Sequence, residues 1–168
     1  MNITAKKLNP LALAMLVAIG ATGAMFSAPL YAYDETSTSV INVDKENVIL
    51  RGYDTVAYFT LNTPTPGNKK FSTSFDGALY YFASADNLKE FEANPAKYAP
   101  QFGGFCAMGA AMGKKLDGDP EVWKVVDGKL YLNVNSDVKV KWSEDIPGNL
   151  KKAYETWPSI KDKAPRDL

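Results

Sequence analysis

Two Asp-Gly dipeptides constrain the fold of this chain more than any other feature. Asp76-Gly77 lies between residues 70–75 and 78–82, and Asp127-Gly128 lies between residues 122–126 and 129–133. Three of these runs are rich in apolar side chains, and in 70–75 Phe71 and Phe75 flank polar residues. Asp-Gly between such runs is typical of a two-residue hairpin turn, because both turn positions need a positive φ. The sequence therefore predicts two antiparallel hairpins.

Three short helices are expected around these hairpins. Ser84 is a suitable N-cap for a helix over residues 85–93, and Pro95 follows its end. A second helix is expected over 105–112, ended by Gly113, and a third over 146–156 with its apolar residues on one face. The fold class predicted is α+β, a small and mainly antiparallel sheet with these helices. No internal repeat is expected.

The first 32 residues are typical of a secretion signal. Lys6 and Lys7 precede the apolar run 11–19, and Ala32 is a suitable last residue before the cut. An uncleaved membrane anchor is the alternative. We expect residues 33–47 to form a leader, mobile over 33–39, and a first strand, 48–160 to form one domain and 161–168 a tail. The mature protein is expected in the periplasm, with no stable membrane insertion.

The chain has no histidine and one cysteine, Cys106. The absence of histidine excludes Ser-His-Asp and Cys-His catalysis and any imidazole metal site. An exported domain that relied on internal disulfides would carry an even number of cysteines. Cys106 therefore has three open roles: a buried inert thiol, an intermolecular disulfide that links a dimer, or a reactive or metal-binding sulfur. A slight acidic excess after loss of the signal argues against a nucleic-acid partner.

Several spaced motifs together resemble the exported YHS-domain proteins, including the subfamily named as YHS domain-containing (seleno)proteins. The matching motifs lie at 52–59, 80–84, 103–107, 127–133 and 157–158. The resemblance implies a YHS-like domain over 48–160. In metal-binding members of the wider YHS and TRASH group, cysteines flank the strand-to-helix step that is residues 82–87 here, where this chain has Ala83 and Asn87. The resemblance thus brings no cysteine cluster to this chain, while its selenoproteins imply a reactive chalcogen at the place of Cys106.

Cys106 and two methionines form the candidate site. Gly103 and Gly104 precede the thiol, and a helix that starts at residue 105 or 106 would aim its free N–H groups at the sulfur and lower its pKa. Cys106, Met108 and Met112 are the soft ligands that Cu(I) prefers. On a regular helix, however, Cys106 lies about 160° from Met108. The three sulfurs can meet only if Cys106 precedes the first turn, and otherwise the methionines are core residues.

Three functions remain open at this stage. The first is a non-enzymatic exported binding protein that holds a soft metal such as Cu(I) through Cys106, Met108 and Met112. The second is a thiol redox or sulfur-transfer protein with Cys106 as its nucleophile. The third is a structural or protein-interaction domain with an inert Cys106. Acidic residues beside turns, Asp54 among them, are assigned to turn chemistry.

Overall fold

Two antiparallel hairpins organise residues 33–168, the part of the chain that the computed structural model describes. Strand β1 (Asn68–Phe75) pairs with β2 (Ala78–Phe82), and β3 (Asp119–Val126) pairs with β4 (Lys129–Asn133). Both Asp-Gly turns have the positive φ that the sequence predicts. The α+β fold class is confirmed, with two separate two-stranded sheets. The expected signal, residues 1–32, lies outside the described residues.

Short helices connect and cover the hairpins. They are α1 (Ala57–Thr60), α2 (Ala85–Ala93), α3 (Pro95–Tyr98), α4 (Ala107–Ala111), α5 (Ser136–Glu144) and α6 (Ile146–Ile160). The helix over 85–93 is confirmed, and Asn87 donates its backbone N–H to its N-cap, Ser84 Oγ, at 3.1 Å. Helix α4 is shorter than expected and α6 is longer, while α1, α3 and α5 were not predicted. None of the helices within residues 33–168 is long and apolar enough to cross a membrane.

The strand expected near the leader does not form. Val43 and Ile49 make a single antiparallel bridge, and Val48 makes a single parallel bridge to Leu79. A 3-10 turn over Leu50–Gly52 then follows, and all three of its residues have a positive φ between 49° and 80°. Because an extended strand requires a negative φ, the chain turns away at this point.

The core consists of two clusters of buried side chains. The first joins the β1–β2 hairpin to α2, where the Phe91 ring lies 4.7 Å from Tyr80 and 5.0 Å from Phe82, measured between centroids. The second joins the β3–β4 hairpin to α4, α5 and α6, and its largest member, Trp142, lies 5.8 Å from the Tyr131 ring. Buried aromatic rings contribute much of the hydrophobic stabilisation of a small domain.

A buried lysine joins the leader and the tail to the domain. The Lys115 side chain is 1% exposed, and its Nζ donates to the carbonyl oxygens of Ser39 at 2.7 Å, Lys161 at 3.0 Å and Lys163 at 2.9 Å. Burial lowers the pKa of this ammonium group. The Phe105 ring centroid lies 4.8 Å from Nζ, within the range of a cation–π contact. The leader, expected to be mobile, is therefore held against the tail.

Candidate functional site

Cys106 is the N-cap residue of α4 and is fully buried. Its backbone is extended, so it precedes the first turn. The glycines before it have structural roles: Gly103 and Gly104 have φ values of 62° and 83°, and a Cβ at Gly103 would collide with the carbonyl oxygen of Val40. The chain thus approaches Cys106 through two glycines in the left-handed region, and at Gly103 there is no room for a side chain.

Three backbone N–H groups surround the Cys106 sulfur. Gly109 donates to Sγ at 3.3 Å, and the N–H groups of Met108 and Val134 lie close enough to affect the charge of the sulfur. These N–H groups lower the pKa of the thiol, as expected for an N-cap position, but burial raises it by more. The net pKa is above the ordinary value, so the prediction of a lowered thiol pKa is wrong. Burial removes the thiolate from water, and this cost to the charged form exceeds the stabilisation by the N–H groups at the start of the short helix α4.

The side chain of Asn133 completes the polar surroundings of the thiol. The Cys106 S–H donates to Asn133 Oδ1 at 3.6 Å, and the same oxygen accepts the Met108 N–H at 3.4 Å. Asn133 is fully buried, and its Nδ2 has no hydrogen-bond partner within residues 33–168. An unpaired buried donor costs about 1–3 kcal/mol. Sequence reasoning missed this residue, because nothing in the chain near Asn133 marks it as a partner of a residue 27 positions earlier.

The two candidate methionines lie in different environments. Met108 is partly buried and packs against the second core cluster, whereas Met112 is the C-cap of α4 and is 62% exposed. The structure brings Cys106 together with Asn133, and it leaves Met112 in solvent. Among residues 33–168 no group of three or more histidine, cysteine, aspartate or glutamate side chains is arranged to hold a metal ion.

A second buried polar centre lies at Asp54. Its Oδ1 accepts the backbone N–H groups of Val56 at 2.9 Å and Ala57 at 3.3 Å. Its Oδ2 accepts the Ala83 N–H at 2.8 Å and Asn87 Nδ2 at 2.6 Å. Turn chemistry accounts for the first pair of bonds but not for the second. The step from β2 to α2, at which the family resemblance places metal-binding cysteines, is held here by a buried carboxylate.

One small cavity lies beside an ion pair of the surface. Arg51 Nη2 lies 2.7 Å from Asp117 Oδ2, and Asn42 Nδ2 donates to Asp117 Oδ1 at 2.7 Å. The cavity that these residues line, together with Tyr33 and Leu50, has a volume of about 20 Å³. This volume admits about one water molecule and no larger ligand.

The structure is a small α+β domain in which two buried side chains, Cys106 and Asp54, accept hydrogen bonds from the backbone. The family model for the YHS domain matches residues 56–102, from just before α1 to the 3-10 turn after α3. The match includes Ala83 and Asn87 and ends before Cys106. It supports the YHS-domain family for this part of the chain, under a third of its length. No curated protein and no solved structure gives a significant match.

Proposed function

We propose that this protein is an exported, non-enzymatic binding module of the YHS type, in which Cys106 is a structural thiol. The burial of the sulfur supports the structural role of the thiol: Cys106 is fully buried, accepts the Gly109 N–H and donates to Asn133. The YHS match over residues 56–102 supports the type of module. A nucleophilic thiol needs both access and thiolate character, and burial raises the pKa of this one. The same burial disfavours a disulfide-linked dimer through Cys106. Export is supported by the character of residues 1–32.

Thiol labelling of the native protein tests this proposal. Reaction with 5,5′-dithiobis(2-nitrobenzoate) should be slow in buffer and should reach one thiol per chain in urea. Met112→Cys is a matched control, because that position belongs to the same short segment and is 62% exposed. The variant should label once, rapidly, under native conditions. If native Cys106 reacts as fast as the cysteine introduced at position 112, the structural role is wrong.

A soft metal held by Cys106 is the second candidate function. One observation favours it: Cys106 precedes the first turn of α4, which is the condition for Cys106 and Met108 to approach one ion. The YHS match is consistent with a metal-binding role for the domain, but it covers residues 56–102 and ends before Cys106. Metal binding would release the thiol proton and replace the contacts to Gly109 and Asn133. Met112 would join only if the end of α4 moved.

Competition for Cu(I) with a chromogenic chelator tests the second candidate. If Cys106 is a ligand, Cys106→Ser should lower the affinity at least tenfold and Met108→Leu should lower it less, with Met112→Leu as the exposed control. Equal affinities for the parent and Cys106→Ser would exclude the thiol as a ligand. Fractionation of cells that express the full chain tests the periplasmic location separately.

A further inference from the structure

The described chain contains the same order of elements twice. Strands β1 and β2 and helices α2 and α3 begin at residues 68, 78, 85 and 95, and β3, β4, α5 and α6 begin at residues 119, 129, 136 and 146. Every element of the second series thus begins 51 residues after its counterpart. The two hairpins also share one irregularity: the ladder jumps from Asn68 to Ser72 in the first and from Asp119 to Trp123 in the second.

Local details agree between the two series. The side chains of Ser84 and Asn135 cap α2 and α5, and each accepts the N–H three residues later. The residues before α3 and α6, Asn94 and Asp145, have nearly the same backbone angles, with φ of −152° and −146° and ψ of 71° in both. The expectation of no internal repeat is therefore wrong: the repeat lies in backbone geometry and capping chemistry, and few residues are identical.

Cys106 and Asp54 lie at corresponding places before the two series, about 52 residues apart, which is one residue more than the spacing of the later elements. Each lies two residues after a run of three residues with a positive φ, which is 50–52 before Asp54 and 102–104 before Cys106. The N–H of Asp54 donates to Thr65 O at 2.8 Å, and the N–H of Cys106 donates to Leu116 O at 2.9 Å. A short helix, α1 or α4, begins within three residues of each.

The donors around the two side chains also correspond. Asp54 accepts the N–H groups two and three residues later, and Cys106 accepts the N–H three residues later, while the Met108 N–H, two residues later, is close enough to lower the thiol pKa. Asp54 accepts the N–H of Ala83, the residue after β2, and the N–H of Val134, the residue after β4, lies close enough to Cys106 to lower its pKa. A side-chain amide is the fourth partner in each case, with opposite directions and from different positions of the repeat: Asn87 Nδ2 donates to Asp54, whereas Asn133 Oδ1 accepts the Cys106 S–H.

We propose that the second half is a diverged copy of the half that the YHS model matches, and that Cys106 occupies the acceptor position of the Asp54 carboxylate. The surrounding donors can then hold a negative charge there. Cysteine and aspartate have similar volumes, and a half-turn of the Asn133 amide would aim its unpartnered Nδ2 at the new oxygen. The inference builds on the structural role proposed for Cys106.

The test compares substitutions that fit an acceptor position with those that fit an apolar one. We expect Cys106→Asp to fold cooperatively and Cys106→Ser to melt above Cys106→Val. The matched control is Ala107→Asp, because Ala107 is the next residue, is fully buried and has a methyl side chain that accepts no hydrogen bond. Cys106→Asp should melt at least 10 °C above Ala107→Asp. If Cys106 has only an apolar role, Cys106→Val should have the highest melting temperature of the three replacements, and Cys106→Asp should melt no higher than Ala107→Asp.

The pH dependence of Cys106→Asp is a second measurement. Hydrogen bonds to the ionised form depress a carboxyl pKa below the unfolded value of about 3.9, so the melting temperature should rise relative to the parent from about pH 2 to about pH 5 and then level off. Adding Asn133→Leu should abolish this rise. Failure of Cys106→Asp to fold, a melting temperature that falls over that range, or a Val variant at least as stable as Ser would overturn the inference. Thiol labelling of the parent decides the proposed function separately.

Discussion

Replacing Lys115 by methionine tests whether one buried ammonium group holds the leader and the tail. Methionine keeps most of the side chain's length and its apolar contact with Phe105 but donates no hydrogen bond. Three carbonyl oxygens, those of Ser39, Lys161 and Lys163, would lose their partner. At about 1 kcal/mol for each unpaired acceptor, we expect the free energy of unfolding to fall by about 3 kcal/mol. This corresponds to a decrease of about 10 °C in melting temperature for a domain of this size.

Urea unfolding followed by tryptophan fluorescence measures the loss, and amide hydrogen exchange locates it. Exchange should accelerate over residues 33–39 and 161–168 more than in the hairpins. Lys114→Met is the matched control, because Lys114 is the preceding residue, is exposed and donates to Leu168 O. It should cost less than about 0.5 kcal/mol, as most surface changes do. If the two variants differ by less than about 1 kcal/mol, or if exchange rises equally everywhere, the reasoning about Lys115 is refuted.

Two further predictions concern the buried acceptors. Asp54→Ala leaves four donors without an acceptor, so the free energy of unfolding measured in urea should fall by about 4 kcal/mol. The control Asp86→Ala changes an exposed residue and should lower it by less than about 1 kcal/mol. Similar losses for the two variants would contradict the role of Asp54. Because burial raises the pKa of Cys106, the unfolded chain loses this proton at lower pH than the folded chain. The stability of the parent relative to Cys106→Ser should therefore fall above about pH 9, by at most about 1.4 kcal/mol per pH unit. A difference that stays constant from pH 7 to pH 10 would refute the shift.

The hairpins and the first long helix could be predicted because their signals are local. An Asp-Gly turn and a Ser84 cap each act over about four residues. Helix α5 was missed for a physical reason: its apolar residues Val138, Val140 and Trp142 alternate with polar ones, which is the period of a strand. Only Trp142 is buried, and Val140 is 64% exposed. The cap at Asn135 and packing of the indole against Tyr131 override that alternation.

The candidate site could be predicted only in part. The sequence places Cys106 at the start of a helix, which is confirmed, because the two glycines and the following run are contiguous. Its burial depends on Asn133 and Val134, which the β3–β4 hairpin brings to the sulfur from 27 or more residues away. Asp54 shows the same limit: the bonds to Val56 and Ala57 are local, whereas those to Ala83 and Asn87 need the folded hairpin. Contacts of this range follow from tertiary packing and have no local signature.

The hydrogen bonds from Lys115 Nζ to Ser39, Lys161 and Lys163 also affect how the domain would respond to mechanical force. Ser39, at one end of the described chain, and Lys163, at the other, bind the same ammonium group, and the Arg166 N–H donates to Glu35 O at 3.0 Å. A load applied through both ends would reach these few bonds before either hairpin. The hairpins, each closed on itself, would feel the load only after the ends had parted.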